Sequence, residues 1–149
     1  MKLSRETHFQ LQVFFRKYFD DNNLQLPAVE IYVNRGAGFI TKILSVHGIT
    51  IGRHIFIKPQ IAKYDERKLL TISKNLLAHE VTHVVQYQQL GFFGFLFKYT
   101  KDYLLILRGK KKWDALSRNQ AYWEIPHEIE ARDAAQEFEK WVRQEKELI

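Results

Sequence analysis

The feature that most constrains this 149-residue chain is the motif His-Glu-x-x-His, formed by His79, Glu80 and His83. Residues 76–86 around the motif are mostly apolar and predict a helix held inside the fold. Residues four positions apart lie on one face of a helix, so the two imidazoles can reach a common point. Polar groups on a buried helix need partners, and a metal ion bound by both histidines would satisfy them.

These residue types favour a zinc site. Zinc binds neutral imidazole, and catalytic zinc sites use three protein ligands and keep one position open for water. Glu80, which need not bind the ion, is then the candidate general base that takes a proton from that water. The chain has no cysteine, so the ligands must be histidine and carboxylate. The simpler alternative is a helix that carries two unrelated histidines.

A third ligand has to come from elsewhere in the chain. The best source is the segment that begins a C-terminal amphipathic helix, predicted to start near Pro126 and to run to about Lys146. His127, Glu128 and Glu130 are all candidates there. Sequence alone leaves the choice among them open.

The remaining periodicities predict a single α+β domain over residues 1–149, with a small sheet. Two alternating runs joined by Gly52-Arg53 predict a β-hairpin that can form a sheet edge beside the cleft. The acidic pair Asp65-Glu66 predicts the start of a long helix that carries the metal motif and ends at Gly91. Further predicted elements are a helix over about Arg5–Asp20, a strand over Val29–Val33, a short helix from Phe39 to about Val46 and a helix containing Tyr99–Leu107.

Charge and hydropathy restrict the partners. The segment from Leu96 to Arg118 contains seven basic residues and two acidic ones, so much of the net charge of +6 is concentrated there. Such an excess can attract phosphates or acidic lipids, but a solvated surface is the simpler interpretation, and we do not expect nucleic acid as a partner. The N-terminus shows no signal-peptide pattern and Leu90–Phe97 is too short to span a membrane, so a cytoplasmic location is expected, with peripheral membrane contact left open.

The motif and Glu128-Ile129-Glu130-Ala131-Arg132 together resemble the gluzincins, zinc peptidases in which a downstream helix supplies a glutamate ligand. The stretches around Gly52 and residues 76–86, with the Pro126 segment, more closely resemble the metallopeptidase-type domain of bacterial extracellular contractile injection system core proteins and their small stand-alone relatives. The resemblance implies a zincin-like fold with His79, His83 and Glu128 as zinc ligands. It also places Arg132 where gluzincins commonly have Asp.

The expected function is zinc-dependent hydrolysis of a peptide or protein substrate, with Glu80 as general base. His127, Tyr122 or Tyr87 would supply the hydrogen bond that stabilises the oxyanion. The alternative is a binding or scaffold module that keeps zinc for stability and hydrolyses little or nothing.

Overall fold

The computed structural model describes residues 2–34, 36–38, 47–64 and 70–147. The described helices are α1 (Arg5–Tyr18), α2 (Lys74–Leu90), α3 (Phe92–Gly109), α4 (Ala115–Trp123) and α5 (Pro126–Glu147), and residues 36–38 are also helical. The strands are β1 (Glu30–Tyr32), β2 (Gly48–Ile51), β3 (His54–Ile57), β4 (Lys63–Tyr64) and β5 (Leu70–Thr71). The predicted α+β class is confirmed. The short helix expected from Phe39 to Val46 lies outside the described residues.

The main sheet has three strands in the order β1-β3-β2. β1 runs parallel to β3, with Ile31 opposite Ile55, and β2 runs antiparallel to β3, with Thr50 opposite Ile55. Gly52 adopts a φ of 62° in the turn between β2 and β3, a conformation that glycine reaches without steric cost. The predicted hairpin is therefore confirmed, and among the described strands β2 forms one edge of the sheet. β4 and β5 make a separate antiparallel pair.

The predicted start of the motif helix at Asp65-Glu66 is wrong. Leu70 and Thr71 pair with β4 as a strand, and the helix begins only at Lys74. The side chain of Ser73 caps this helix by accepting a hydrogen bond from the backbone N–H of Leu76. The acidic pair resembled a helix start, but a serine cap eight residues later determines where α2 begins.

Helix α2 packs along α5 on one side and against β2 and β3 on another. Val81, Val84 and Val85 of α2 are almost fully buried. The facing part of α5 contributes small side chains, among them the buried Ala134 and Ala135. Because alanine adds little bulk between two helices, the backbones of α2 and α5 can approach closely, which brings the first turn of α5 to the metal motif.

Helix α1 supports this pair from behind. Its buried face consists of Leu11, Phe14 and Phe15, and Phe14 meets Phe138 of α5 edge to face with ring centroids 5.1 Å apart. Phe14 and Phe15 are therefore core residues, whereas Phe9 of the same helix is 66% exposed.

Helices α3 and α4 form the other wall of the site. The helix predicted to contain Tyr99–Leu107 is confirmed and starts directly after Gly91, whereas α4 was not predicted. The sequence signal for α4 is Asp114, whose carboxylate accepts a hydrogen bond of 2.7 Å from the backbone N–H of Ser117. Among the described helices, none combines the length and apolar character that a bilayer crossing requires.

Candidate metal centre

The two motif histidines lie one turn apart in the middle of α2. Their ring centroids are 4.9 Å apart, and both side chains line the same cleft. His83 is buried and His79 is partly exposed, so the pair sits at the bottom of the cleft with one side open. The four-residue spacing places both rings where one ion can contact them.

Glu128 completes the group from the first turn of α5. Its Oε2 lies 3.2 Å from His79 Nε2 and its Oε1 lies 3.3 Å from His83 Nε2. One ligand atom from each of the three residues falls within 4.8 Å of the other two. For comparison, tetrahedral zinc ligands at their usual bond lengths are about 3.3 Å apart. The described residues thus include a His-His-Glu group that can hold a metal ion.

The buried polar atoms of this group need a cation. Glu128 Oε2 has no hydrogen-bond partner among the described residues although it is buried. Burial alone would raise the pKa of Glu128, but the imidazoles of His79 and His83 beside the carboxylate hold that pKa well below its usual range, so the carboxylate is charged. Burial alone would lower the pKa of His83, and the hydrogen bond and charge of Glu128 raise it overall. Positive charge is therefore stabilised at this point, as a metal ion requires.

Gln86 fixes the orientation of His83. The amide nitrogen of Gln86 donates to Glu130 Oε2 at 2.7 Å and to the backbone carbonyl of His127 at 3.1 Å, which sets the amide orientation. Its amide oxygen must then accept a hydrogen bond from His83 Nδ1, 2.8 Å away. When the His83 ring is neutral, its lone pair is consequently on Nε2, the atom that faces Glu128, and this is the tautomer that a metal ligand needs.

Glu130, the rival candidate for the third ligand, is occupied by this contact with Gln86 and lies outside the metal-binding group. Sequence reasoning missed Gln86. Its position three residues after His83 was an available signal, because residues at this spacing share a helix face.

Tyr99 of α3 also holds Glu128. Its hydroxyl donates to Glu128 Oε1 at 2.7 Å, and burial followed by the charge of Glu128 raises the pKa of this hydroxyl far above its usual value. Tyr99 was not among the predicted site residues. A signal was present in the sequence, because Phe95, Tyr99 and Tyr103 recur at four-residue spacing and all three line the cleft.

Glu80 lies beside the two histidines but is not part of the His-His-Glu group. The Thr50 hydroxyl, on the edge strand β2, lies 2.8 Å from Glu80 Oε2 and 3.0 Å from the Glu80 backbone carbonyl. The backbone of β2 approaches so closely that a Cβ atom on Gly48 would lie 2.4 Å from Glu80 Oε1. The carboxylate is therefore confined between the sheet edge and the helix.

Burial raises the pKa of Glu80, and the positive charges that His83 and His79 carry when protonated oppose this shift. Only 3% of Glu80 is exposed, yet the residue contributes to the cleft lining. A carboxylate with a raised pKa that faces a cleft can take up and return a proton, which is the chemistry of a general base.

The cleft above these residues has a volume of about 860 Å³. One side is formed by β2, the floor by α2 and the first turn of α5, and the other side by α3 and α4. The α3 wall is mainly aromatic, and Arg118 and Asn119 of α4 bring polar groups to the lining. A cleft of this size with an extended strand along one side can accept a segment of polypeptide.

The other predicted site residues differ in their placement. Tyr122 and Tyr87 line the cleft. Burial, followed by the charge of Glu128, raises the pKa of Tyr122 far above its usual value, and burial raises that of Tyr87 to about 12. His127 is not among the lining residues, because its ring packs edge-on against Phe95 with centroids 5.3 Å apart.

The surroundings of His127 differ from those of the ligand histidines. Its Nδ1 faces Asp102 Oδ2 at 4.0 Å, and burial followed by the charge of Lys98 lowers its pKa. This ring therefore belongs to the packing between α3 and α5.

Arg132, which stands where gluzincins commonly have Asp, points away from the site. Its guanidinium donates to the backbone carbonyl of Trp123 and lies over the Trp123 ring, 4.5 Å from the centroid. The carboxylate that supports a histidine comes instead from Glu130, acting through Gln86.

Comparison with known proteins identifies one family. No curated protein and no solved structure matches the chain. The family model described as the eCIS core domain matches residues 10–91, more than half of the chain. The matched region contains the edge strand and the entire motif helix and ends before Tyr99 and Glu128. The chain therefore belongs to the eCIS core domain family.

Proposed function

We propose that this protein is a zinc-dependent peptidase of the zincin type, with His79, His83 and Glu128 as the zinc ligands. The observation that carries the proposal is the convergence of these three side chains at the floor of a cleft, with Glu80 beside them. The alternative of two unrelated histidines does not explain why a carboxylate from a distant helix meets both of them.

The donor set fits zinc. Two imidazoles and one carboxylate are ligands that zinc prefers, and three protein ligands leave a position open, as catalytic sites do. When bound, zinc would supply Lewis acidity that polarises a peptide carbonyl and acidifies a water molecule. Tyr99 would hold Glu128, and Gln86 would hold His83, in the orientations required for binding.

Glu80 is the proposed general base. In its position beside the ligands it accepts a proton from water and passes it to the leaving amine. Thr50 orients the carboxylate through its hydroxyl, and the absence of a side chain on Gly48 leaves the space that the carboxylate occupies. Both supporting residues belong to β2, so the edge strand positions the base.

Tyr122 is the proposed donor to the oxyanion. Its raised pKa keeps the hydroxyl protonated near neutral pH, and its side chain lines the cleft beside Glu128. His127 is a weaker choice for this role because its ring lies outside the cleft lining. The substrate would be a peptide or protein segment in extended conformation, paired along β2 by strand addition.

The test begins with metal content. Protein purified without chelator or nickel affinity is expected to contain zinc in a near-stoichiometric amount by elemental analysis. Glu128→Ala should lose this zinc. Glu130→Ala is the matched control, and it should retain zinc with weaker affinity because Glu130 contacts Gln86 rather than the metal group.

Hydrolysis is tested with Glu80→Gln, which preserves the size of the side chain. This variant is expected to keep its zinc and to lose cleavage of a mixed library of unstructured peptides, whereas the wild type cleaves. Failure of the reconstituted wild type to bind zinc would refute the proposal. Zinc binding in a wild type that cleaves none of the peptides would instead favour the binding or scaffold module.

A further inference from the structure

Helix α3 exposes an apolar face that the metal centre does not use. Phe93 is 82% exposed, Phe97 71% and Leu104 46%. At about 100° per residue, these three side chains fall within about 40° of one another around the helix axis. We call them the α3 stripe. Two other side chains of the helix, Phe95 and Leu107, are buried against the rest of the protein, so the exposure of the stripe is not a consequence of a detached helix.

Positive charge adjoins the α3 stripe. Lys101 and Arg108 follow it on one flank, and neither forms an ion pair with a described residue. Asp102 is the only acidic residue in the sequence of α3, and it faces inward, where its Oδ2 is buried. The outer face of the helix therefore combines large apolar side chains with unpaired cations.

The segment that follows α3 also combines unpaired cations with an exposed aromatic side chain. Lys111 and Lys112 have no ion pair with any described residue, and Trp113 is 60% exposed. Lys110, in contrast, is paired with Glu124. A tryptophan beside lysines is typical of a segment that sits at a membrane–water interface, where the ring reaches the headgroups and the cations meet phosphate.

We propose that the α3 stripe and its basic flank bind the surface of an anionic phospholipid bilayer. Phe93 and Phe97 would insert into the interface, while Lys101 and Arg108 would contact anionic headgroups. Charge complementarity selects this occupant: the outer face has unpaired cations and no acid, which fits a uniformly negative surface. The stripe contains none of the proposed metal ligands, so this binding does not depend on peptidase activity.

The arrangement also orients the cleft. Leu96 lies on the flank of α3 opposite to the cations and lines the cleft, with 38% of its surface exposed. A bilayer bound by the α3 stripe would therefore lie close to the α3 rim of the cleft.

The test is co-sedimentation of the full chain with vesicles made of equal parts phosphatidylserine and phosphatidylcholine, against vesicles of phosphatidylcholine alone. The wild type is expected to bind the anionic vesicles and to bind the neutral ones weakly. The double variant Phe93→Ser/Phe97→Ser should partition onto the anionic vesicles at least about tenfold less than the wild type. Phe9→Ser is the control, because Phe9 is 66% exposed on α1, outside the stripe.

The electrostatic part is tested with Lys101→Gln/Arg108→Gln, for which we expect about fivefold weaker binding per charge removed. Lys17→Gln/Arg143→Gln removes the same charge from α1 and α5 and should change binding much less. All variants are exposed-site substitutions, and unchanged thermal unfolding shows that they fold.

Absence of binding to the anionic vesicles would overturn the proposal, as would equal binding by Phe93→Ser/Phe97→Ser and wild type. A concentration-dependent dimer that the same double variant abolishes, without vesicle binding by the wild type, would also overturn it. That result would assign the stripe to a second copy of the chain.

Discussion

Substitution of Gly48 by alanine tests whether β2 confines Glu80 as described. The added Cβ would lie 2.4 Å from Glu80 Oε1 and 2.9 Å from Glu80 Cδ, so rotating the carboxylate does not relieve the contact. Cβ atoms essentially never approach other heavy atoms more closely than 3.0 Å. The new methyl group and the Glu80 carboxylate must therefore move apart by about 0.6 Å or more. Ile57 Cδ1, at 3.2 Å, limits movement of the new methyl group in another direction.

This displacement should affect both stability and rate. Overpacking of a buried site costs about 1–3 kcal/mol, and we expect Gly48→Ala to lower the free energy of unfolding by that amount. A misplacement of about 1 Å can lower a catalytic rate by about 100-fold, so kcat for peptide cleavage should fall steeply while zinc content is unchanged. Gly94→Ala is the control, because its Cβ would meet only Leu90 Cβ, at an ordinary 3.8 Å.

A double-mutant cycle isolates the contact. In a Glu80→Ala background the conflicting atoms are gone, so Gly48→Ala should cost little and can even stabilise by about 0.4–1 kcal/mol through the unfolded state. Chemical denaturation of the four proteins measures the coupling. An equal cost of Gly48→Ala in both backgrounds would refute the argument that the methyl group acts on Glu80.

Three further predictions concern the supports of the site and of its helix. Tyr99→Phe removes the hydrogen bond to Glu128 and should weaken zinc binding about 10–100-fold in a chelator competition titration; unchanged affinity would mean that the hydroxyl does not position the ligand. Gln86→Leu, which leaves His83 Nδ1 without its acceptor, should weaken zinc binding over the same range in that titration, and Gln86→Glu should restore part of it. Ser73→Ala removes the cap of α2 and should cost about 0.5–2 kcal/mol in denaturant unfolding, with no loss of zinc stoichiometry; a loss of zinc would show that the helix start is coupled to the metal group.

Sequence predicted the part of the site that is local. His79, Glu80 and His83 lie within little more than one turn of helix, so their relative placement follows from helix geometry alone. Glu128 lies 45 positions after His83, and the residues by themselves did not distinguish it from His127 and Glu130 as the third ligand. Only the resemblance to a family singled it out, because helix packing determines which of these side chains reaches the histidines.

The contacts that support Glu80 and Glu128 were beyond sequence reasoning. Thr50 reaches Glu80 from a strand, and Tyr99 reaches Glu128 from a different helix. The spacing of Phe95, Tyr99 and Tyr103 marks a helix face, but the partner of each contact cannot be read from spacing, because it depends on how two elements cross. The missed start of α2 has a different cause: Asp65-Glu66 and Ser73 are both acceptable starts locally, and the pairing of β5 with β4 determines the outcome.

The close packing of α2 on α5 has a consequence for how the protein is made. A chain emerging from the ribosome presents both histidines well before α5, and two histidines alone bind zinc poorly. Glu128 joins them only when α5 docks through its alanine face. The proposed hydrolytic centre would thus be assembled only after α5 has been synthesised and has docked, and the nascent chain would remain unable to cleave its neighbours until then.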